Sequence, residues 1–103
     1  MNFHIGQVLS TPTISHAMSI SPTFAKFLAT SLERHQNIDS DVCGDDQELN
    51  RAAVIDGSRI FSSYKVGDDL QEIIDSEKVW IITEAKNNEG NRRCTTILLP
   101  SEY

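Results

Sequence analysis

Three histidines, two cysteines and two runs of carboxylates are the side chains of this 103-residue sequence that could do chemistry. His4, His16 and His35 are of the type that serves as metal ligand or general base, but none stands at His-x-x-x-His spacing or beside a paired cysteine. A structural or solvated role accounts for each, and His35, at the end of a helical pattern, suits the negative end of a helix dipole. Serine and threonine are plentiful, yet there is no Gly-x-Ser-x-Gly elbow, no evident base partner for a nucleophile, and no glycine-rich phosphate loop. Cys94 follows Arg93, whose charge would lower a thiol pKa and favour a thiol-dependent enzyme; inward packing as a small apolar strand residue is the simpler expectation. Cys43 and Cys94 lack Cys-x-x-Cys spacing and are expected to be free thiols. The reading is therefore non-enzymatic, with no catalytic residue, metal or cofactor assigned.

The carboxylates form two runs: Asp39, Asp41, Asp45, Asp46 and Glu48, and then Asp68, Asp69, Glu72, Asp75 and Glu77. A calcium loop is excluded for the first, because the central glycine and the terminal bidentate glutamate are not at the required offsets. One account is that both runs are solvated loops and helix caps that keep the protein soluble. The sharper account is a negative surface that imitates nucleic acid and occupies the basic groove of a nucleic-acid-processing protein complex. On that account the partner-binding residues are Asp39, Asp41, Asp45, Asp46, Glu48, Asp68, Asp69 and Glu72. The formal charge of −6 disfavours direct binding to nucleic acid.

The elements that must position these groups are legible from punctuation and periodicity. Phe3, Ile5, Val8 and Leu9 suggest a first strand or edge segment, with Gly6 marking a bulge or close approach. Thr11-Pro12 supplies a cap hydroxyl and an N1 proline for a short helix carrying Ile14, Ala17 and Met18. Ser21-Pro22 repeats the signal, and Phe24, Phe27, Leu28, Ser31, Leu32 and His35 share one face of a longer helix. A polar loop, 36–44, precedes a third helix from about Asp45, with a stripe of Leu49, Ala52, Ala53 and Asp56 and a stop at Gly57. Alternation of Ile60, Ser62 and Tyr64 against Phe61, Ser63 and Lys65 marks a half-buried strand. Leu70, Ile73 and Ile74 suggest one or two helical turns inside the acidic connection 67–77. The runs Lys78 to Ala85 and Arg92 to Leu99 read as two strands of a hairpin across an Asn- and Gly-containing turn. Both faces of the Trp80 strand are apolar, as for a central strand or one covered by a partner chain, so a homodimer is a further expectation.

Length and a hydrophobic fraction of 39% fit one folded domain, residues 1–103. The grouping of elements argues an α+β fold: three N-terminal helices packed on a mainly antiparallel sheet of three or four strands. No run reaches membrane-spanning length, and the start lacks a basic n-region and an apolar h-region, so no membrane association and a cytoplasmic location are expected.

Several phrases together, Ile5-Gly6-Gln7-Val8 with Thr11-Pro12, Phe27-Leu28-Ala29 with Arg34-His35, Trp80 to Ala85, and the closing Thr95-Thr96-Ile97-Leu98-Leu99-Pro100 ending at Tyr103, resemble a family of small "plasmid-related" bacterial proteins of mobile elements. The resemblance runs nearly end to end. It implies a plasmid, phage or other mobile-element protein and carries no activity or catalytic residues with it. The chain departs from the family's pattern in two loops: 37–44 replaces a Gly-Asp-Trp-Gly phrase, and the acidic 67–77 replaces a short Asp-Gly turn. Loops carry function on a scaffold, so the best expectation is an inhibitor of a host defence complex, anti-CRISPR or anti-restriction, acting through these acidic segments. A self-associating plasmid accessory protein is the alternative.

Overall fold

The computed structural model describes residues 3–42 and 44–103; Cys43 lies outside the described residues. In chain order the elements are β1 (Gln7–Ser10), α1 (Pro12–Ile20), α2 (Pro22–Gln36), α3 (Gly44–Asp56), β2 (Ile60–Lys65), β3 (Lys78–Thr83), β4 (Cys94–Leu98) and a closing 3-10 turn, Pro100–Glu102. The strands form one sheet in the order β1-β4-β3-β2. β2 and β4 flank β3 antiparallel, with Ser63 opposite Trp80 and Ile81 opposite Ile97. β1 joins β4 in parallel, Val8 opposite Thr95.

The expectation of three N-terminal helices on a mainly antiparallel sheet is thereby corrected. The first strand expected around Val8 and Leu9 is present as β1, so the helices follow it and are not N-terminal, and the sheet is mixed. The parallel contact joins residues 7 and 94, so no local turn chemistry announces it. What permits it is Gly6, at φ +65°: a Cβ there would stand 2.5 Å from the carbonyl oxygens of both Arg92 and Arg93. The close approach lets the Gln7 N–H donate to the Arg93 carbonyl at 3.0 Å.

All three helices lie on one face of the sheet. Ile14, Ala17, Phe24 and Leu28 pack with Tyr64, Val79, Ile81 and Ile97 in the main core, and Ala53 packs with Ile38 and Ile60 in a smaller one. The α2 stripe is as expected, with Phe24, Leu28, Ser31 and His35 buried. Ser21 caps α2, accepting from the Phe24 N–H at 3.1 Å, whereas the Thr11 hydroxyl does not cap α1 and instead donates to the Glu102 carboxylate at 2.8 Å. The α3 stripe is corrected: Leu49 is 66% exposed, Ala52 is exposed, and Asn50 and Ala53 face inward. Gly57 stops α3 at φ +85°, as its position predicts. The connection 67–77 forms turns, not a helix, and seats Leu70 and Ile74 in the main core.

The sheet's other face carries Phe61, Trp80, Ile82, Thr96 and Leu98. Ile82 and Leu98 are buried yet belong to neither helix-side cluster.

Candidate functional site

His35 is fully buried, and both its ring nitrogens are engaged. Nδ1 lies 2.6 Å from the Ser62 hydroxyl and Nε2 lies 2.7 Å from that of Thr83. Thr83 in turn meets Thr95 at 2.6 Å, and Thr95 donates to the Ile5 carbonyl at 2.7 Å. A carbonyl only accepts, so the direction of each proton from Ile5 back to His35 Nε2 follows. Thr95 spends its proton on Ile5, Thr83 must donate to Thr95, and His35 Nε2–H must donate to Thr83, while the Ser62 hydroxyl at Nδ1 is able to donate or accept. Burial pushes the imidazole pKa down from 6.5 to about 4, so the ring is neutral at pH 7 and Nδ1 accepts from Ser62 there. The network ties α2, β2, β3, β4 and the N-terminal segment together, with Phe3 packed edge-on against the ring at 5.2 Å. It is an internal brace, closed to solvent. A dipole role at the helix end understates it, and the signal that could have placed it is the α2 stripe, on which His35 follows Ser31 at i+4.

Cys94 is half-buried, on the helix-free face of the sheet. The inward packing expected for it is corrected, because register puts Thr95 and Ile97 inward and Cys94 outward. Burial and the neighbouring Glu84 carboxylate push its thiol above the usual range, which works against a thiolate nucleophile.

The acidic residues divide into three groups. Asp39 accepts from Arg34 Nε at 2.9 Å and Nη2 at 3.2 Å, and Arg34 also donates to Asp41 at 3.1 Å. Asp41 further accepts the Lys65 N–H through its carboxylate at 2.9 Å, while its own N–H donates to the Ser63 carbonyl at 2.9 Å. Arg34 holds the Asp39 carboxyl below its ordinary value. For Asp41, the Lys65 N–H and Arg34 together outweigh burial and lower it as well. These two aspartates stitch the end of α2 to the outer edge of β2. Asp45 and Asp46 occupy the first turn of α3, where the helix dipole favours them, and Glu48 pairs with Arg51. Asp68, Asp69 and Glu72 stand exposed on the turns after β2. The two runs thus sit on separate elements, α3 with its leading loop and the β2–β3 connection.

The face opposite the helices presents an aromatic cluster. Trp80 meets Phe61 edge-on at 5.0 Å and Tyr103 at 5.7 Å. Arg59 lies 5.6 Å from the Tyr103 ring centroid and donates to its hydroxyl at 2.6 Å. Phe61 and Trp80 are half-buried and Tyr103 is 69% exposed. A groove of ≈ 290 Å³ runs from Phe61, Ser63 and Trp80 to Lys78 on one side and Asp41, Val42 and Asp46 on the other. Asp41 and Asp46, read from sequence as surface charge alone, are therefore the acidic rim of an aromatic groove. The period-2 pattern places Phe61 and Trp80 off the core face, but the closing of Tyr103 onto Trp80 is a long-range contact with no local signature.

Among the described residues no group of three or more histidine, cysteine, aspartate or glutamate side chains is placed to hold a metal ion, and no helix is long and apolar enough to cross a membrane. No protein-family model, curated protein or solved structure matches the chain.

Proposed function

We propose that this chain is a small binding protein of a mobile element that works without catalysis, by occupying a protein partner through the helix-free face of its sheet and the carboxylates beside it. The observation that carries the reading is the Phe61–Trp80–Tyr103 cluster, of which Phe61 and Trp80 line a groove with Asp41 and Asp46 while Tyr103 is 69% exposed beside it. Aromatic anchors at the centre with charge at the rim are the composition of protein interfaces. The catalytic candidates point the same way: His35 has both nitrogens occupied inside the fold, and the Cys94 thiol is held protonated. The partner class we infer is a nucleic-acid-processing defence complex, CRISPR or restriction, whose basic groove would attract the carboxylates of Asp45, Glu48, Asp68, Asp69 and Glu72. Capture from nuclease-treated bacterial lysate, with bound proteins identified by mass spectrometry, tests it. A nucleic-acid-processing complex retained at low salt and released at high salt supports the reading, and an empty capture overturns it.

A second reading, self-association of a plasmid accessory protein, is favoured by the other sheet edge. β1 is exposed along its whole length, with Val8 42% and Leu9 41% exposed, and an open edge strand is a template for pairing with another copy. A sedimentation profile that stays monomeric at high concentration removes it.

A further inference from the structure

Arg92 is 4% exposed, yet its guanidinium makes no ion pair with a carboxylate among the described residues. Its Nη1 donates to the Ser58 carbonyl at 2.7 Å and the Glu84 carbonyl at 3.1 Å, and Nη2 donates to the Ala53 carbonyl at 2.8 Å. A guanidinium carries five N–H donors, so Nε–H and one Nη2–H have no acceptor among the described residues. The ion pairs among these residues belong to Arg34 and Arg51. Asp56, whose charge is felt at Arg92, spends a carboxylate oxygen on the Ser58 N–H at 2.8 Å. Part of Arg92's role is structural, since the Ala53 carbonyl belongs to the last turn of α3, where a cation is favoured. That role leaves the positive charge offset by Asp56 at a distance and by no direct ion pair among the described residues.

The same residue lines a cleft of ≈ 320 Å³ between the end of α3, the N-terminal segment and the β3–β4 hairpin, together with Phe3, His4, Val54, Lys86 and Asn91. That is the size of a small-ligand site. Its walls divide by chemistry: Phe3 and Val54 are apolar, while Lys86, Arg92 and the side-chain carboxamide of Asn91 can donate. The Arg92 guanidinium carbon stands 5.7 Å from the Phe3 ring centroid, which orients the planar donor group along an aromatic wall. The hairpin rim is held by the Asn87 carboxamide oxygen, which accepts from the Glu89 and Asn91 N–H groups at 3.0 Å each. A cationic cleft in a chain of net charge −6 is a local reversal of sign.

We propose that this cleft binds a small organic anion, a carboxylate or phosphate group carried on an apolar body, with Arg92 and Lys86 taking the charge and Phe3 and Val54 the body. Arginine presents paired donors that match both headgroups. The site is separate from the aromatic groove on the opposite face of the sheet, and the proposal stands whether or not that groove binds a protein.

The test is an NMR titration of the whole chain that follows the Arg92 Nε–H resonance, with acetate, inorganic phosphate, benzoate and phenyl phosphate as probes. The expected result is a saturable shift, with the aromatic probes saturating at concentrations about tenfold below their inorganic or aliphatic counterparts. Comparison of benzoate with phenyl phosphate assigns the headgroup. Lys86→Gln is expected to weaken binding severalfold, while Lys65→Gln, at the far end of the sheet, leaves it unchanged. An Arg92 resonance that no probe moves overturns the site. Equal weakening by both lysine variants also overturns it, because it reduces the effect to general charge, and equal affinity for the aromatic and the small probes overturns the apolar half.

Discussion

At the scale of residues, His35 makes the most definite statement. The hydrogen bonds around it place a proton on Nε2, and burial pushes its pKa down to about 4 in the fold against 6.5 when free. Between those values the unfolded chain binds more protons than the folded one, so stability is complete above pH 6.5 and is lost as pH falls toward 4. The expected loss across that window is about 3 kcal/mol, at about 1.4 kcal/mol per pH unit. Asp39, Asp41 and Glu102, whose pKa values are lowered, lose their contributions in the same direction but only within and below the ordinary carboxylate range. Urea unfolding from pH 7 to pH 4 reads the His35 window directly. His35→Leu is expected to cost about 1–3 kcal/mol at pH 7, because Ser62 and Thr83 lose their partner, and to flatten the curve above pH 4.5. A second prediction concerns Cys94. In a Cys43→Ser background, labelling of Cys94 at neutral pH is expected to be slower than that of a free thiol, since burial and Glu84 disfavour the thiolate; fast stoichiometric labelling would return the enzyme reading.

At the scale of elements, the sheet treats its two edges differently. The outer edge of β2 is sealed: the Asn50 amide donates to the Phe61 carbonyl at 2.6 Å and accepts the Phe61 N–H at 3.1 Å, and Asp41 covers the next positions. This is the side-chain equivalent of one more strand. Asn50→Ala is expected to destabilise by about 1–3 kcal/mol in urea melts and to promote association through the unsealed edge, seen by size exclusion. Gly57→Ala forces a side chain into the left-handed region and brings its Cβ to 3.2–3.4 Å from the Lys86 side chain, so a loss of about 1–2 kcal/mol is expected. The legibility of the elements follows from the range of their causes. Ser21-Pro22, Gly57 and the alternation at 60–65 are local signals, and each marks a real boundary or strand. The end of α2 falls where the polar loop from 36 places it, although the left-handed position after it is held by buried Ile38 at φ +56° where a glycine would be usual. The α3 stripe departs from the apolar pattern because a polar residue, Asn50, faces in beside Ala53. No property of Asn50 as a residue type reveals that β2 is an edge strand with an N–H and a carbonyl to satisfy. The pairing of β1 with β4 and the edge-on packing of Tyr103 against Trp80 are long-range, and neither has a local signature.

At the scale of the whole molecule, three helices cover one face of the sheet and leave the other to a short closing turn and Tyr103. The acidic segments do not act as one block. Asp39 and Asp41 hold the fold, so their loss is expected to lower stability as well as any binding. Asp45, Asp46 and Glu48 lie on α3, whose Asp46 lines the groove, and they are the carboxylates to remove when binding is the question. The most direct test compares capture from nuclease-treated bacterial lysate by three forms of the chain at low salt: the natural sequence, the combined variant Tyr103→Ala, Asp45→Asn, Asp46→Asn and Glu48→Gln, and Glu33→Gln on the exposed side of α2 as control. The account predicts that the natural chain and Glu33→Gln retain the same nucleic-acid-processing complex and that the combined variant, still folded by circular dichroism, releases it. Equal retention by all three forms would contradict the claim that the aromatic groove and its acidic rim are the working surface.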